Sequence, residues 1–199
     1  MLPATPPPPV TVVDLDAGPA ITIHGPSGTR TIQRFTAGML VGYLPVILGD
    51  GTPGNYLDPG HYTITGPGGP DIGAFTAATD VPSTPFVWTN VLNTLPQTVD
   101  RSKDLTITWT GGVPGTLVQI NGSNLVGPPL SGMFGIFRCY APVSAGQITI
   151  PSFVLMGLPP GGTGGLGVLN SFMSTFTAPG LDVGVINSVT SYGVFPTYQ

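Results

Sequence analysis

One stretch of this chain matches the glycine pattern that dinucleotide-binding loops use. Residues 162–167 read Gly-Thr-Gly-Gly-Leu-Gly, and Asp182 follows about 20 residues after the first glycine. A phosphate-binding loop needs a strand before the motif and a helix after it, so that backbone N–H groups face the pyrophosphate. Here Pro159 and Pro160 precede the motif, and no helical periodicity follows it. We therefore interpret this run as a loop without a cofactor.

Both histidines of the chain, His24 and His61, occupy comparable places in an internal near-repeat. Its pattern is Leu-Asp-x-Gly, a short strand, and then Gly-Pro-x-Gly, and its aspartates are Asp16 and Asp58. Imidazole and carboxylate groups together make metal sites and acid–base pairs. Aspartate before a glycine is also a common turn former. We interpret these residues as turn residues in separate parts of the surface.

Two aspartate pairs offer the oxygen ligands that Ca²⁺ prefers. They are Asp14 with Asp16, and Asp100 with Asp104. Neither pair has the spacing of an EF-hand loop. We predict that the protein binds no cofactor, and Ca²⁺ is the one ion that the sequence leaves open.

No pattern of a catalytic nucleophile is present in the sequence. The Gly-x-Ser-x-Gly turn of serine hydrolases is missing, and there are only two histidines to serve as a base. The chain also lacks glutamate, so a glycosidase pair would require two aspartates, whose positions give no sign of pairing. We predict that the protein is not an enzyme and has no catalytic residues.

Aromatic side chains offer a different kind of chemistry, the stacking of a sugar ring or another flat ligand. Trp109 alternates with apolar residues, so we expect it in the core. Trp88 and the tyrosines near glycine-rich turns are the better candidates for a binding platform, chiefly Tyr56 and Tyr62. The aromatic residues considered are Trp88, Trp109, Tyr43, Tyr56, Tyr62 and Tyr140.

The strongest structural signal is the strand that carries Trp109. Leu105, Ile107 and Trp109 alternate with three threonines, a period of two that is typical of a half-buried β-strand. Gly111 and Gly112 then turn the chain, and residues 116–120 make a plausible return strand. We predict a hairpin with Trp109 inward at the centre of a β-sandwich, and one helical turn at residues 152–158 that Ser152 caps.

The composition supports an all-β chain with an unusual surface. Glycine (30) and proline (24) separate short apolar runs, and the hydrophobic fraction is 41%. Only 7% of residues are charged, against about 25% in an average soluble domain. The net charge of −4 and the scattered positions of the four arginines argue against nucleic-acid binding. The longest apolar run, residues 39–48, is too short to span a membrane.

The chain is predicted to contain immunoglobulin-like β-sandwiches, in two consecutive modules. Residues 1–9 form a proline-rich extended arm or linker, residues 10–85 an N-terminal β module, and residues 86–199 an immunoglobulin-like sandwich. Six or seven short strands in the last range motivate that assignment.

Several runs resemble a β-sandwich module of secreted or surface proteins in Acidobacteria. They include residues 105–112 (Leu-Thr-Ile-Thr-Trp-Thr-Gly-Gly), 137–142 (Phe-Arg-Cys-Tyr-Ala-Pro), 145–152 (Ala-Gly-Gln-Ile-Thr-Ile-Pro-Ser) and 54–60 (Gly-Asn-Tyr-Leu-Asp-Pro-Gly). The resemblance covers most of residues 14–199. It implies an extracellular module, and it supplies no catalytic residues.

These observations predict a non-enzymatic structural protein that is extracellular or attached to the cell surface. The scarcity of charge suggests that part of its surface is buried against copies of itself, as a homo-oligomer or polymer, or against neighbouring domains. The candidate assembly strands are the one with Val10 and Val12 and the one with Tyr192 and Val194. The alternative is a monomeric module that binds a glycan or another ligand.

Overall fold

The computed structural model describes residues 14–37, 40–43, 57–91, 98–128, 131–162 and 164–199. Strands make up most of the regular structure in these ranges. Helical structure includes a four-residue helix, α1 (Ser152–Leu155), and a 3-10 turn at Val143–Ala145. The predicted all-β class is therefore confirmed. Within the described residues, no helix is long and apolar enough to cross a membrane.

The chain divides into two compact units. Unit 1 contains Met1–Thr79 and Thr175–Val185, and unit 2 contains Asp80–Ser174 and Ile186–Gln199. This division differs from the predicted modules 10–85 and 86–199, because unit 1 is built from two separate stretches of chain. The physical reason lies in the core of unit 1. The ring of Phe176 stacks on that of Phe75 with centroids 5.0 Å apart, so the second stretch completes a core that the first stretch lacks.

Unit 1 is built on a five-stranded sheet. Its strands are β1 (Ala20–Gly25), β2 (Gly28–Ala37), β3 (Leu40–Tyr43), β4 (Gly60–Gly66) and β5 (Phe75–Val81). Their order is β3-β2-β1-β4-β5, with β1 antiparallel to both β2 and β4. In this register Thr22 lies between Thr31 and Thr65. The alternation of threonine and isoleucine therefore gives the sheet a polar face, stabilised by cross-strand threonine pairs.

Unit 2 contains two larger sheets and one short strand pair. Its strands are β6 (Val87–Trp88), β7 (Thr98–Val99), β8 (Leu105–Thr110), β9 (Leu117–Val126), β10 (Met133–Pro142), β11 (Gln147–Ile150), β12 (Gly165–Phe176), β13 (Gly184–Val194) and β14 (Thr197–Tyr198). The ends of β12 and β13 belong to unit 1. One sheet has the order β11-β8-β6, the other the order β10-β9-β12-β13, and β14 pairs with β7 in parallel.

Both larger sheets contribute to a single core, which gives unit 2 a sandwich-like arrangement. The three-stranded sheet supplies Trp88, Ile107 and Trp109, and α1 and its C-terminal turn supply Leu155 and Leu158. The four-stranded sheet supplies further apolar side chains to the same core. They are Val118, Ile120, Phe137, Ala141, Leu166 and Val168. The indole N–H of Trp109 donates to the carbonyl of Val143 at 2.8 Å, as a buried tryptophan requires.

The predicted strand at residues 105–110 exists, and Trp109 faces the core as expected. The predicted hairpin is wrong, because β8 pairs with β11 and β6 while β9 lies in the other sheet. The connection explains the difference. Gly111 and Gly112 both take positive φ, at 70° and 91°, and the N–H of Val113 donates to the Asn170 side chain at 3.1 Å. The connection is thereby held against β12, and the chain continues into β9 of the other sheet.

The predicted helical turn is present, but its cap is not Ser152. No side chain of the flanking residue caps α1, and the backbone N–H of Ser152 donates to the Asp104 carboxylate at 2.8 Å. A carboxylate from a distant loop thus satisfies the first free N–H of the helix. Sequence-local reasoning could not have found a partner that lies 48 residues away.

Candidate functional site

The two described residues of the predicted stacking platform are buried, which corrects that prediction. Trp88 and Tyr62 are each 1% exposed. The indole N–H of Trp88 donates to the Asn90 side chain at 2.7 Å, and the hydroxyl of Tyr62 donates to the carbonyl of Asp58 at 2.9 Å. Neither ring offers a face to a ligand, because each packs inside its own unit. Tyr56 lies outside the described residues.

The predicted assembly strands have a mixed outcome. Val10, Val12 and the proline-rich arm lie outside the described residues. Tyr192 and Val194 are at the end of β13 and pack against the core of unit 2. The Tyr192 hydroxyl donates to the carbonyl of Phe86 at 2.9 Å. These two side chains therefore hold β13 to its own unit; whether the strand pairs with another copy stays a prediction.

His24 and the two aspartates of the near-repeat have partners nearby. The Nδ1 atom of His24 lies 2.8 Å from the Thr29 hydroxyl, and the Ser27 hydroxyl donates to the Asp58 carboxylate. The Asp16 carboxylate lies 3.1 Å from the Arg34 guanidinium and accepts the N–H of Gly18. No group of three or more His, Cys, Asp or Glu side chains that could hold a metal occurs in the part of the chain that the structure describes.

Both members of the second aspartate pair have hydrogen-bond partners. The Asp100 carboxylate accepts the hydroxyl of Ser102 at 2.6 Å and its N–H at 3.0 Å, and Lys103 lies 3.0 Å away. The hydrogen bond from the Ser102 side chain, followed by the one from Lys103, lowers the pKa of Asp100 to about 2. Asp104 caps α1. Both carboxylates thus have the turn and capping roles that aspartate commonly takes.

The glycine motif at 162–167 leads into a strand. Gly165 and Gly167 lie in β12, and the N–H of Gly164 donates to the carbonyl of Pro196 at 2.9 Å. A Cβ atom on Gly164 would lie 2.2 Å from the carbonyl oxygen of Ser123. Glycine is required here by close packing of backbones, and the helix of a dinucleotide site does not follow.

The surface that stands out is the outer face of the β9–β10 hairpin, which we call the hairpin face. On β10 the side chains of Phe134, Ile136, Arg138 and Tyr140 alternate outward. Phe134 and Ile136 are each 65% exposed, and Tyr140 is 51% exposed. Leu125 of β9, itself exposed, lies directly opposite Phe134. Large apolar side chains on adjacent outward positions form a contiguous patch, which is the kind of surface that proteins use for association.

The inner face of β10 carries the smaller side chains. Its inward residues after Met133 are Gly135, Phe137, Cys139 and Ala141. Only Phe137 among them is large, and it packs over Gly122, where a Cβ atom would lie 1.9 Å from its ring. Cys139 is half-buried, and burial raises the pKa of its thiol. Most of the apolar bulk of this strand therefore faces away from the core.

A short polar row crosses the hairpin face between the two aromatic side chains. The Gln119 amide donates to the Asn121 carbonyl oxygen at 2.7 Å, and the Arg138 Nε–H donates to the same atom at 3.3 Å. Arg138 lies opposite Asn121, and Tyr140 lies opposite Gln119. The arginine is the only charged residue of the two strands.

The hairpin face also borders a free sheet edge. β10 is the last strand in the order β10-β9-β12-β13, and no strand in the described ranges pairs with its far side. Native proteins usually protect such edges with lysine, proline or a bulge. β10 is ten residues long, has no lysine, and has its only proline at its end, Pro142. It is therefore well suited to accept another strand.

Sequence reasoning missed this surface. Apolar residues stand on both of its faces, so alternation alone could not tell which face is buried. Side-chain size would have misled as well, because the outward set 134, 136 and 140 is bulkier than the inward set 135, 139 and 141. A strand in a small sandwich normally buries its bulkier side.

The comparisons with known proteins add no relative. No protein-family model, curated protein or solved structure matches the chain. The feature of the described residues that bears most on function is therefore the hairpin face.

Proposed function

We propose that the protein is a non-enzymatic structural protein of the cell exterior that assembles with copies of itself through the hairpin face. One observation carries the proposal: Phe134, Ile136 and Tyr140 are exposed on the outer face of a strand whose far edge pairs with no other strand in the described ranges. Exposing three large apolar side chains to water is unfavourable, at roughly 25 cal/mol per Å² of apolar surface. Association of two copies would remove much of that surface from water.

The low charge of the chain supports the same proposal. Charged side chains keep soluble proteins apart, and this chain has only five basic and nine acidic residues. The hairpin face carries a single charge, Arg138. Repulsion between two such faces is correspondingly weak, so the apolar contact is opposed by little electrostatic cost.

An immunoglobulin-like assignment for unit 2 belongs to this proposal. When the short strands β7 and β14 are left aside, unit 2 has the strands β6 and β8 to β13. Strands β6, β8 and β11 form one sheet, and strands β9, β10, β12 and β13 form the other. That distribution is close to the strand arrangement of variable-type immunoglobulin domains. In those domains, additional strands join the sheet that contains strands C, F and G. The proposed extracellular location rests on the sequence resemblance to secreted Acidobacteria modules.

The assembly proposal is tested by comparing two phenylalanine substitutions. Phe134→Ser removes an aromatic ring from the hairpin face, and Phe153→Ser removes one from α1, where it is 70% exposed. Light scattering over a range of concentrations should give a lower mean mass for Phe134→Ser and an unchanged one for Phe153→Ser. Equal masses for wild type and both variants would refute the hairpin face as the assembly surface.

The polar row favours a second candidate, a monomeric module that binds a neutral glycan. Gln119, Asn121 and Arg138 offer donors and an acceptor, and the exposed rings of Phe134 and Tyr140 flank them. A sugar ring presents both hydroxyl groups and an apolar face, which suits such a surface. Retention on insoluble polysaccharides by a monomeric wild type, lost in Tyr140→Ala, would favour this candidate over assembly.

A further inference from the structure

We infer that β10 pairs antiparallel with β10 of a second copy. The two-fold axis lies midway between the two copies of Phe137, and we call it the axis through Phe137. This inference rests on the proposed function and makes it specific. The occupant of the free edge is then an identical strand, and the two four-stranded sheets join into one continuous sheet. Such an isologous contact uses the same surface on both copies, so it closes into a dimer.

The face of each side chain restricts the register of the pair. Residues directly opposite in a sheet lie on the same face, so an outward residue of one copy must meet an outward residue of the other. The outward set comprises Phe134, Ile136, Arg138 and Tyr140. If the axis lies between two copies of the same residue, outward residues of one copy meet outward residues of the other. A shift of the register by one residue would place Phe134 opposite an inward residue of the partner copy. Axes through Ile136, Phe137, Arg138 and Cys139 leave most of β10 paired.

Charge excludes the axis through Arg138. That axis would place the two Arg138 guanidinium groups directly opposite each other, and like charges opposite each other destabilise a sheet. It would also bring Pro142, which has no N–H to donate, opposite Phe134 of the partner copy. Parallel pairing in register would stack the same two arginines and is excluded for the same reason.

Overlap disfavours the axes through Ile136 and Cys139. β10 runs from Met133 to Pro142, so the first axis would pair only the part from Met133 to Cys139, and the second only the part from Ile136 to Pro142. An axis through Phe137 pairs the strand from Met133 to Ala141. It therefore forms more of the ladder and leaves less of the edge exposed.

The axis through Phe137 also places compatible side chains together. Phe134 of one copy lies opposite Tyr140 of the other, twice by symmetry, and aromatic cross-strand pairs are among the stabilising ones. Ile136 lies opposite Arg138, whose aliphatic stem can cover it while the guanidinium stays in water. The two arginines are then diagonal neighbours and retain their contacts with Asn121.

Disulfide trapping tests this register with two single variants in a Cys139→Ser background. One carries Ile136→Cys and the other Arg138→Cys. Opposite positions in a sheet bring Cβ atoms to about 4.5–5.5 Å, near the separation that a disulfide spans, whereas diagonal positions are about 7–8 Å apart. Mild oxidation of the mixed variants should give a covalent dimer, and each variant alone should stay monomeric on a non-reducing gel.

Each other outcome overturns a defined part of the account. A covalent dimer from Arg138→Cys alone would move the axis to Arg138, and one from Ile136→Cys alone would move it to Ile136. If no sample is trapped while light scattering shows that the Cys139→Ser parent associates, pairing through the β10 edge is wrong and the proposed function survives. If the parent is monomeric at every concentration, both fail.

Discussion

The ring of Phe137 lies directly over the backbone of Gly122, its cross-strand partner in the β9–β10 hairpin. This contact holds the register of the hairpin, since no other residue at position 122 leaves room for the ring. It also determines which face of β10 points outward. With Phe137 inward, the side chains at 134, 136, 138 and 140 must face away from the core.

Gly122→Ala should therefore destabilise the protein. The new methyl group would displace the Phe137 ring, and overpacking of this kind costs about 1–3 kcal/mol. Urea denaturation would measure the loss. Gly167→Ala is the matched control, because a Cβ atom there would lie no closer than 3.6 Å to its nearest neighbour. An equal loss in the two variants would contradict the role given to Gly122.

Substitution of Asn170 should lower the free energy of unfolding more than substitution of any other polar residue at the connection between the two sheets of unit 2. Its side chain is buried, accepts the N–H of Val113, and donates to the Thr116 hydroxyl and the carbonyl of Leu117 at 2.7 and 2.9 Å. Asn170→Ala leaves these groups without their partner, and each unsatisfied buried group costs about 1–3 kcal/mol. The free energy of unfolding should fall by several times the change for Asn187→Ala, a substitution on the exposed side of β13.

Prediction from the sequence succeeded where local pattern and burial agree. The alternation around Trp109 gave β8 and its inward face, because a two-residue period in large apolar residues is a local property. It could not give the partner strands. The chain leaves β8 through two glycines with positive φ and is anchored by Asn170, which lies 57 residues after Val113.

The candidate site was missed for a related reason. Trp88 and Tyr62 are large residues near turns, but their burial depends on which face of the strand meets the core. A strand as short as β6 has too few residues to show an alternating pattern. In β10 the sequence offers apolar residues on both faces. The contact between Phe137 and Gly122 decides between them, and it joins two strands that the sequence does not pair.

Asp104→Ala should weaken the start of α1. The substitution removes the acceptor for the N–H of Ser152, and loss of such a cap costs about 1 kcal/mol. Asp104→Asn keeps an acceptor and should recover most of the stability. Thermal unfolding of the two variants would measure the difference. Identical melting temperatures for Asp104→Ala and wild type would show that the cap contributes nothing.

Asp100 should make part of the stability depend on pH. Its pKa is lowered to about 2 in the folded protein, from 3.8 for an ordinary aspartate. A lowered folded pKa means that the stabilisation is present above the unfolded pKa and is lost as pH falls through the folded value. The urea midpoint of wild type should therefore fall between about pH 4 and about pH 2 more steeply than that of Asp100→Asn. Parallel pH profiles would contradict the assigned hydrogen bonds.

Hydrogen exchange at two protein concentrations tests self-association through β10 most directly. Amides of the edge strand that face solvent in the monomer become paired in the dimer, so their exchange slows as concentration rises. We predict greater protection for the peptide covering residues 133–142 at high concentration, with unchanged protection in residues 147–150 of β11. Identical exchange of residues 133–142 at both concentrations, in a sample that light scattering shows to be associated, would contradict the account.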